Sequence, residues 1–267
     1  MKHGDAHMNC LDPIDRASPH TSLAAAVKAA LRECDAHPVA FEKDVDIRHE
    51  GDRPDFVYLV KSGWLCSYGV LADGQRQLLC LHMAGDIAGL SDLGGSRALF
   101  SLRSLRASVV YPIPVAALTS PAFVTPAVTA FLLRKSAETQ ALIMRTLVAV
   151  GRMGARERII WLLLMLRDRN GGASASDGIE VPLNQSELGD LVGLSNVSVS
   201  KTLCQLSDEG FIERKGGRVL LRRPAEMERI IGHEPMGFTP HLSGDSEPAH
   251  GVGDMTWRAA GPLGQHD

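Results

Sequence analysis

No apolar run in this chain approaches the roughly 18 residues needed to span a membrane. One of the longest covers only residues 159–166. No basic start followed by an apolar stretch precedes a cleavage site, so the chain is expected in the cytoplasm, with no membrane partner. Cysteine is scarce as well. The five present (Cys10, Cys34, Cys66, Cys80 and Cys204) are odd in number and show no Cys-x-x-Cys spacing. That argues against a disulfide framework and against a zinc site, and no metal or cofactor is expected. An excess of charge of either sign is also missing, since a net charge of −3 does not mark the whole chain as a nucleic-acid binder. No internal repeat is visible.

What is present is length enough for two compact units, 267 residues with 45% hydrophobic and 22% charged side chains, the proportions of an ordinary globular protein. Residues 1–22 and 232–267 are rich in Gly, Pro, His and Asp without sustained periodicity and are expected to be tails. A first domain is expected over 23–120. Its centre alternates short β-type runs with turn signals: FVYLV, Ser62-Gly63, WLCSYGVL, Asp73-Gly74, RQLLCLHM. This pattern predicts an antiparallel β unit that ends near Pro112-Ile113-Pro114.

From about Pro121 a helical stripe takes over, with Val128, Phe131, Leu132, Leu142, Ile143, Thr146, Leu147 and Val150. A helix over 121–150 would be about 45 Å long, more than a small β domain can cover, so a second copy of the chain is the expected partner. Glu at Phe131 and Leu142 would then be expected to give monomers. Gly151 and Gly154 interrupt this helix, which places a dimerisation helix and hinge at 121–154. The segment ARERIIWLLLMLRDR that follows is apolar on most sides and is predicted to be a buried helix opening a second domain over 155–231, with a Gly/Ser/Ala linker at 170–178.

The second domain carries the informative motif. Asn184 is a natural N-cap, and Glu187 three residues on can reach back to it, so a helix should run to about Val192. Gly193 supplies a turn. Ser195 then caps a second helix whose Val199, Leu203 and Leu206 share a core with Leu188 and Leu191, and Gly210 ends it. Two helices joined by a short Gly turn make a helix-turn-helix. The run FIERKGGRVLL, turning at Gly216-Gly217, adds a wing. Between 196 and 223 six basic residues face three acidic ones. A second helix that enters the major groove by its N-terminal end puts its first exposed side chains on base edges. Asn196, Val197, Ser198, Ser200 and Lys201 hold those positions. Asn can bond adenine, Lys can bond guanine and Val can meet a thymine methyl. An ordinary αα-hairpin with a solvated polar face is the alternative reading of the same stretch.

The words HEGDRPDFVYLVKSGW, VLADGQRQLL and MAGDIAGL in the first domain, with NQSELGDLVGLSNVSVSKTL and LSDEGFIERKGGRVLL in the second, resemble the Crp/Fnr superfamily of bacterial transcription regulators over residues 41–231. The resemblance implies an α+β chain: an N-terminal antiparallel β-roll of the cyclic-nucleotide-binding kind, a long dimerisation helix and a C-terminal winged helix-turn-helix. It implies a homodimer on an inverted-repeat double-stranded DNA operator, with no enzymatic activity. RNA polymerase and an unknown small effector stand as further candidate partners. Asn184, Gln185, Ser186 and Ser195 are implied on the phosphate side, Asn196, Val197, Ser200 and Lys201 on the base side, and Lys215 and Arg218 in the wing. Well-known members carry Glu where this chain has Val197 and often Arg where it has Lys201, so their operator is not transferred.

The sensor departs from the resemblance too. Members that bind cyclic AMP hold its phosphate with a Gly-Glu-Leu turn and an Arg-Ser or Arg-Thr pair. Here the turn is Gly89-Leu90-Ser91, and Phe100-Ser101 fall where the pair belongs, leaving Arg97 or Arg103 as substitutes only if the loop length differs. The cofactor-binding residues are therefore unknown, and a small-ligand module with a secondary DNA role is the alternative function. An iron–sulfur sensor lacks its cysteine cluster, because Cys10 and Cys34 stand alone. Cys80-Leu81-His82 could suggest haem but lies before Gly85-Asp86, and a core pair is the plainer reading. Cys66 and Cys80 sit almost symmetrically about Asp73-Gly74, so cross-strand thiols are a possible redox pair or simply two buried hydrophobes.

Overall fold

The computed structural model describes residues 21–169, 179–181, 183–215 and 218–234. The expected linker at 170–178, most of both expected tails and Gly216-Gly217 lie outside those residues. The described residues open with α1 (Thr21–Glu33), whose first two residues fall in the stretch expected as tail. Its Val27, Ala30 and Leu31 recur at helical spacing and are buried in one cluster with Val128 and Phe131.

Eight strands follow: β1 (Val39–Phe41), β2 (Asp46–Arg48), β3 (Phe56–Ser62), β4 (Leu65–Val70), β5 (Arg76–His82), β6 (Ile87–Ala88), β7 (Ser101–Ser104) and β8 (Ser108–Pro114). They form two antiparallel four-stranded sheets in the orders β1-β8-β3-β6 and β2-β7-β4-β5, the expected roll. The β3–β4 turn needs Gly63, at φ 84°, because a Cβ there would stand 2.3 Å from Ser108 Oγ. Ser108 Oγ in turn accepts the Trp64 N–H at 3.0 Å. Cys66 pairs with Leu81 and Cys80 with Ser67, so pleat alternation sends the two thiols to opposite faces rather than to a cross-strand pair. Burial pushes both up to about 12, well away from reactive thiolates.

The long helix α2 runs from Pro126 to Arg152, 27 residues. It starts five residues later than the sequence pattern suggested. Thr125-Pro126 is the better start: Thr125 Oγ1 accepts the Val128 N–H at 3.4 Å, and proline at the first helical position loses no bond. Its apolar stripe divides in two. Phe131 and Leu142 are 3% and 5% exposed, packed within the chain, and so are not the outward face that a partner copy would cover. That face carries Leu133, Met144, Leu147 and Val148, with Leu133 67% and Leu147 71% exposed. The next helix, α3 (Ala155–Arg169), buries every residue from Ile159 to Leu166, as an all-round apolar pattern requires.

Charged groups join these pieces. Asp86, in the β5–β6 turn, faces Lys135 of α2 at 3.4 Å and pairs with Arg169 of α3, while Arg169 Nη1 donates to the Leu81 carbonyl at 2.8 Å. Burial alone would raise the Asp86 carboxyl, but Arg169 and Lys135 outweigh it and hold the group below its usual range. His82 beside it is also lowered, but here by burial, to about 4, so it is neutral at pH 7, with Nε2 2.9 Å from Ser67 Oγ.

Candidate nucleic-acid interface

Beyond α3 the chain forms β9 (Ile179–Glu180), α4 (Gln185–Val192), α5 (Asn196–Asp208), β10 (Ile212–Lys215), β11 (Arg218–Leu221) and α6 (Pro224–Ile231). Asn184 Oδ1 accepts the Glu187 N–H at 2.9 Å, and Glu187 Oε2 accepts the Asn184 N–H at 2.8 Å, closing the capping box expected from the sequence. Gly193 takes the left-handed conformation at φ 65° and ends α4. The helices approach closely: a Cβ on Gly189 would lie 2.3 Å from the Leu194 carbonyl oxygen. Arg158 of α3 clasps the same turn, Nη1 donating to the carbonyls of Val192 at 3.0 Å and Gly193 at 3.1 Å.

On α5, Ser195 Oγ accepts the Ser198 N–H at 3.3 Å. Val199, Leu203 and Leu206 join Leu188 and Leu191 in one buried cluster, as expected, and Thr202 is buried beside them. The opposite side is open. Ser195, Asn196, Val197 and Lys201 are exposed, Val197 at 78%, and Ser198 and Ser200 are half-buried at the edge. Lys201 has no ion-pair partner among the described residues. Asn184 and Ser186 are exposed and Gln185 half-buried at the start of α4. Most of the residues singled out from the sequence thus fall in the opening turns of α4 or of α5. Lys215 and Arg218 are register partners at the tip of the β10–β11 ladder, and β9 completes a three-stranded sheet. Arg223 lies over the Phe211 ring at 4.0 Å and fixes the base of this hairpin.

The sequence reading passed over Cys204 and Gln205, which continue the exposed face of α5 one turn on. Counting the 3.6-residue period onward from Val197 and Lys201 would have found them. It also missed the contact between the roll and the reader. Arg76 Nε and Nη2 donate to Asp190 Oδ2 of α4 at 2.8 and 2.7 Å, and Gln77 Nε2 donates to the Asp190 carbonyl.

At the sensor turn, Leu90 and Phe100 hold the positions that the sequence comparison set against a phosphate-holding pair. Leu90 packs partly buried on the α1–α2 cluster, and Phe100 is 38% exposed. Arg103 is locked side-on to Asp46 at 2.7 and 2.6 Å, and exposed Arg97 donates to the Gly51 carbonyl at 3.0 Å.

A β-roll joined through a long helix to a winged helix-turn-helix defines a two-domain transcription regulator. Residues 38–120 match the cyclic nucleotide-binding domain and residues 157–230 the Crp-like helix-turn-helix domain. The chain belongs to the Crp/Fnr family of transcription regulators. It is 29% identical over 217 residues to the nitrogen fixation regulation protein FixK of Azorhizobium caulinodans, covering 80% of this chain and 85% of that one. It is 23% identical over 194 residues to electron transport regulator A of Shewanella oneidensis, 72% of this chain and 77% of that one. Among solved structures, FixK2 from Bradyrhizobium japonicum superposes with a TM-score of 0.67 at 26% identity, over 74% of this chain and 98% of that one. A CRP-family transcriptional regulator from Thermus thermophilus gives 0.63 at 25% identity, with the same two coverages.

Proposed function

We propose that this protein binds an inverted-repeat DNA operator as a homodimer and reads each half-site with the N-terminal half of α5. The observation that supports this most directly is the exposed set Asn196, Val197 and Lys201 projecting from a helix whose other side is packed in the core. Asn184, Gln185, Ser186 and Ser195, at the starts of α4 and α5, meet phosphate. Asn196, Val197, Ser198, Ser200 and Lys201 face base edges. Lys215 and Arg218 hold the flanking backbone from the wing. The second copy covers the outward face of α2, and the two half-sites then lie about one helical turn, ~34 Å, apart. Contacts to RNA polymerase and a small effector in the roll belong to the same proposal.

Operator selection followed by mobility shift tests it. Lys201→Ala should cost roughly 1–3 kcal/mol per half-site and relax discrimination at one position, whereas Lys215→Ala or Arg218→Ala should weaken all sequences alike and flatten the salt dependence. If Lys201→Ala and Asn196→Ala both leave affinity and preference unchanged, α5 does not lie in the major groove.

A further inference from the structure

Strand β5 lies at the edge of its sheet and meets the reader at both ends. At its start, Arg76 Nε and Nη2 donate to Asp190 Oδ2 of α4 at 2.8 and 2.7 Å, and Gln77 Nε2 donates to the Asp190 carbonyl and, at 3.4 Å, to that of Leu191. At its other end, Arg169, the last residue of α3, donates Nη1 to the Leu81 carbonyl at 2.8 Å and pairs through Nη2 with Asp86, just beyond the strand. Between the two grips, Leu78 and Cys80 are buried in one cluster with Leu188 and Leu191 of α4. Arg76 and Leu81 stand about 17 Å apart along an extended strand. One grip would leave the reader free to turn about it, whereas two on the same strand remove that rotation. The covalent link, Met153 and Gly154 between α2 and α3, fixes the reader at a single place.

The chemistry of the grips suits position more than stability. The Arg76 and Asp190 side chains are 26% and 23% exposed, and partly exposed ion pairs add little to stability while fixing geometry. The reader also has a core of its own, in which Val199, Leu203 and Leu206 pack with Phe211, Leu221 and Met227. Both grips stay clear of the reading face. Asp190 and Arg169 lie toward the C-terminal ends of their helices, and Asn184, Asn196 and Lys201 remain exposed, so the gripped reader is open to DNA.

We infer that β5 is a splint: gripping the reader through Arg76 and Gln77 at one end and through the Leu81 carbonyl and Asp86 at the other, it fixes the orientation of the reader on the roll and thereby sets the half-site spacing that the dimer accepts. Arg76 and Arg169 are positioning residues in DNA recognition, acting through the placement of α5 and not by contact with a base. One base pair added between half-sites moves one of them by about 3.4 Å and turns it by about 35°. A splinted pair of readers rejects that mismatch, and a free-swinging pair absorbs it.

The inference rests on the DNA reading proposed above, and its test separates the two. Full-length protein is titrated against its selected operator and against the same operator with one base pair added or removed between the half-sites. The native protein should bind both altered spacings at least about tenfold more weakly. In Arg76→Ala, and separately in Arg169→Ala, that ratio should fall to about twofold or less, and Arg76→Asp with Asp190→Arg, which exchanges the charges, should restore it. A merely destabilised reader would bind every spacing more weakly and leave the ratio unchanged. Without DNA, small-angle scattering should show a larger maximum dimension for the two alanine variants than for the native dimer. Should one of them fail to fold by circular dichroism, the other decides. The inference is overturned if the native protein accepts all three spacings alike, or if the spacing ratio or the scattering is the same in both variants as in the native protein. A native protein that selects no operator overturns the DNA reading and the spacing role together, and scattering then decides the splint alone.

Discussion

At the scale of single residues, two buried groups give measurable consequences. His82 is neutral in the fold because burial lowers it to about 4 from an ordinary 6.5. The unfolded chain therefore binds a proton at a pH where the native one does not, and the stability due to neutral His82 is full above about 6.5 and is lost as pH falls toward 4. The loss approaches roughly 3 kcal/mol by pH 4. Urea unfolding followed from pH 7 to pH 4.5 should show it, and His82→Gln, which can still bond Ser67, should flatten that part of the curve. Asp86 acts in a different window, below its ordinary 3.8, because its carboxyl is held low. Gly189→Ala should destabilise the reader by roughly 1–3 kcal/mol, since the new methyl meets the Leu194 carbonyl and the helices must part. Thermal unfolding together with a mobility shift checks it. The caps at Asn184 and Ser195 were legible in the sequence because capping is local, written within three residues. Arg48 with Asp92 and Arg76 with Asp190 were not, because their partners are 44 and 114 residues away and no periodicity connects them.

At the scale of elements, the helix-turn-helix and the roll strands follow from short-range signals, period 3.6 with caps and period 2 with glycine turns, and the structure agrees with both. The long helix shows where that logic stops. Its apolar positions are plain in the sequence, but periodicity cannot say which of them the chain covers itself. The uncertainty is resolved by α1, an alanine-rich helix that carries no motif, packing on Phe131. Leu133→Glu with Leu147→Glu should consequently give folded monomers by light scattering and circular dichroism. Each leucine occurs twice in a two-fold interface, so the dimer should lose roughly 6 kcal/mol at about 1.5 kcal/mol per side chain. Phe131→Glu should instead unfold the packing between α1 and α2. A native protein that is monomeric at micromolar concentration would remove the basis for the two-fold operator.

At the scale of the whole molecule, the roll meets the reader across a shared apolar cluster, and polar contacts from Arg76 and Gln77 to α4 and from Asp86 to α3 tie the two together. The phosphate-holding residues that would tie cyclic AMP to these contacts are replaced by Leu90 and Phe100, so calorimetry with cyclic AMP should show no micromolar binding and no change in operator affinity. Binding that strengthened operator affinity would point to Arg97, the exposed arginine of that loop. Asp86 has one more consequence. It grips α2 at Lys135, which leaves about 25 Å of helix between the grip and Arg152. The helix is in effect a lever with a short, anchored arm. A tilt of about 10° at the anchored end would sweep the far end through about 4 Å. That exceeds the ~3.4 Å between successive bases on one DNA strand, so a displacement too small to disrupt the roll is enough to put a reading helix out of step with its site.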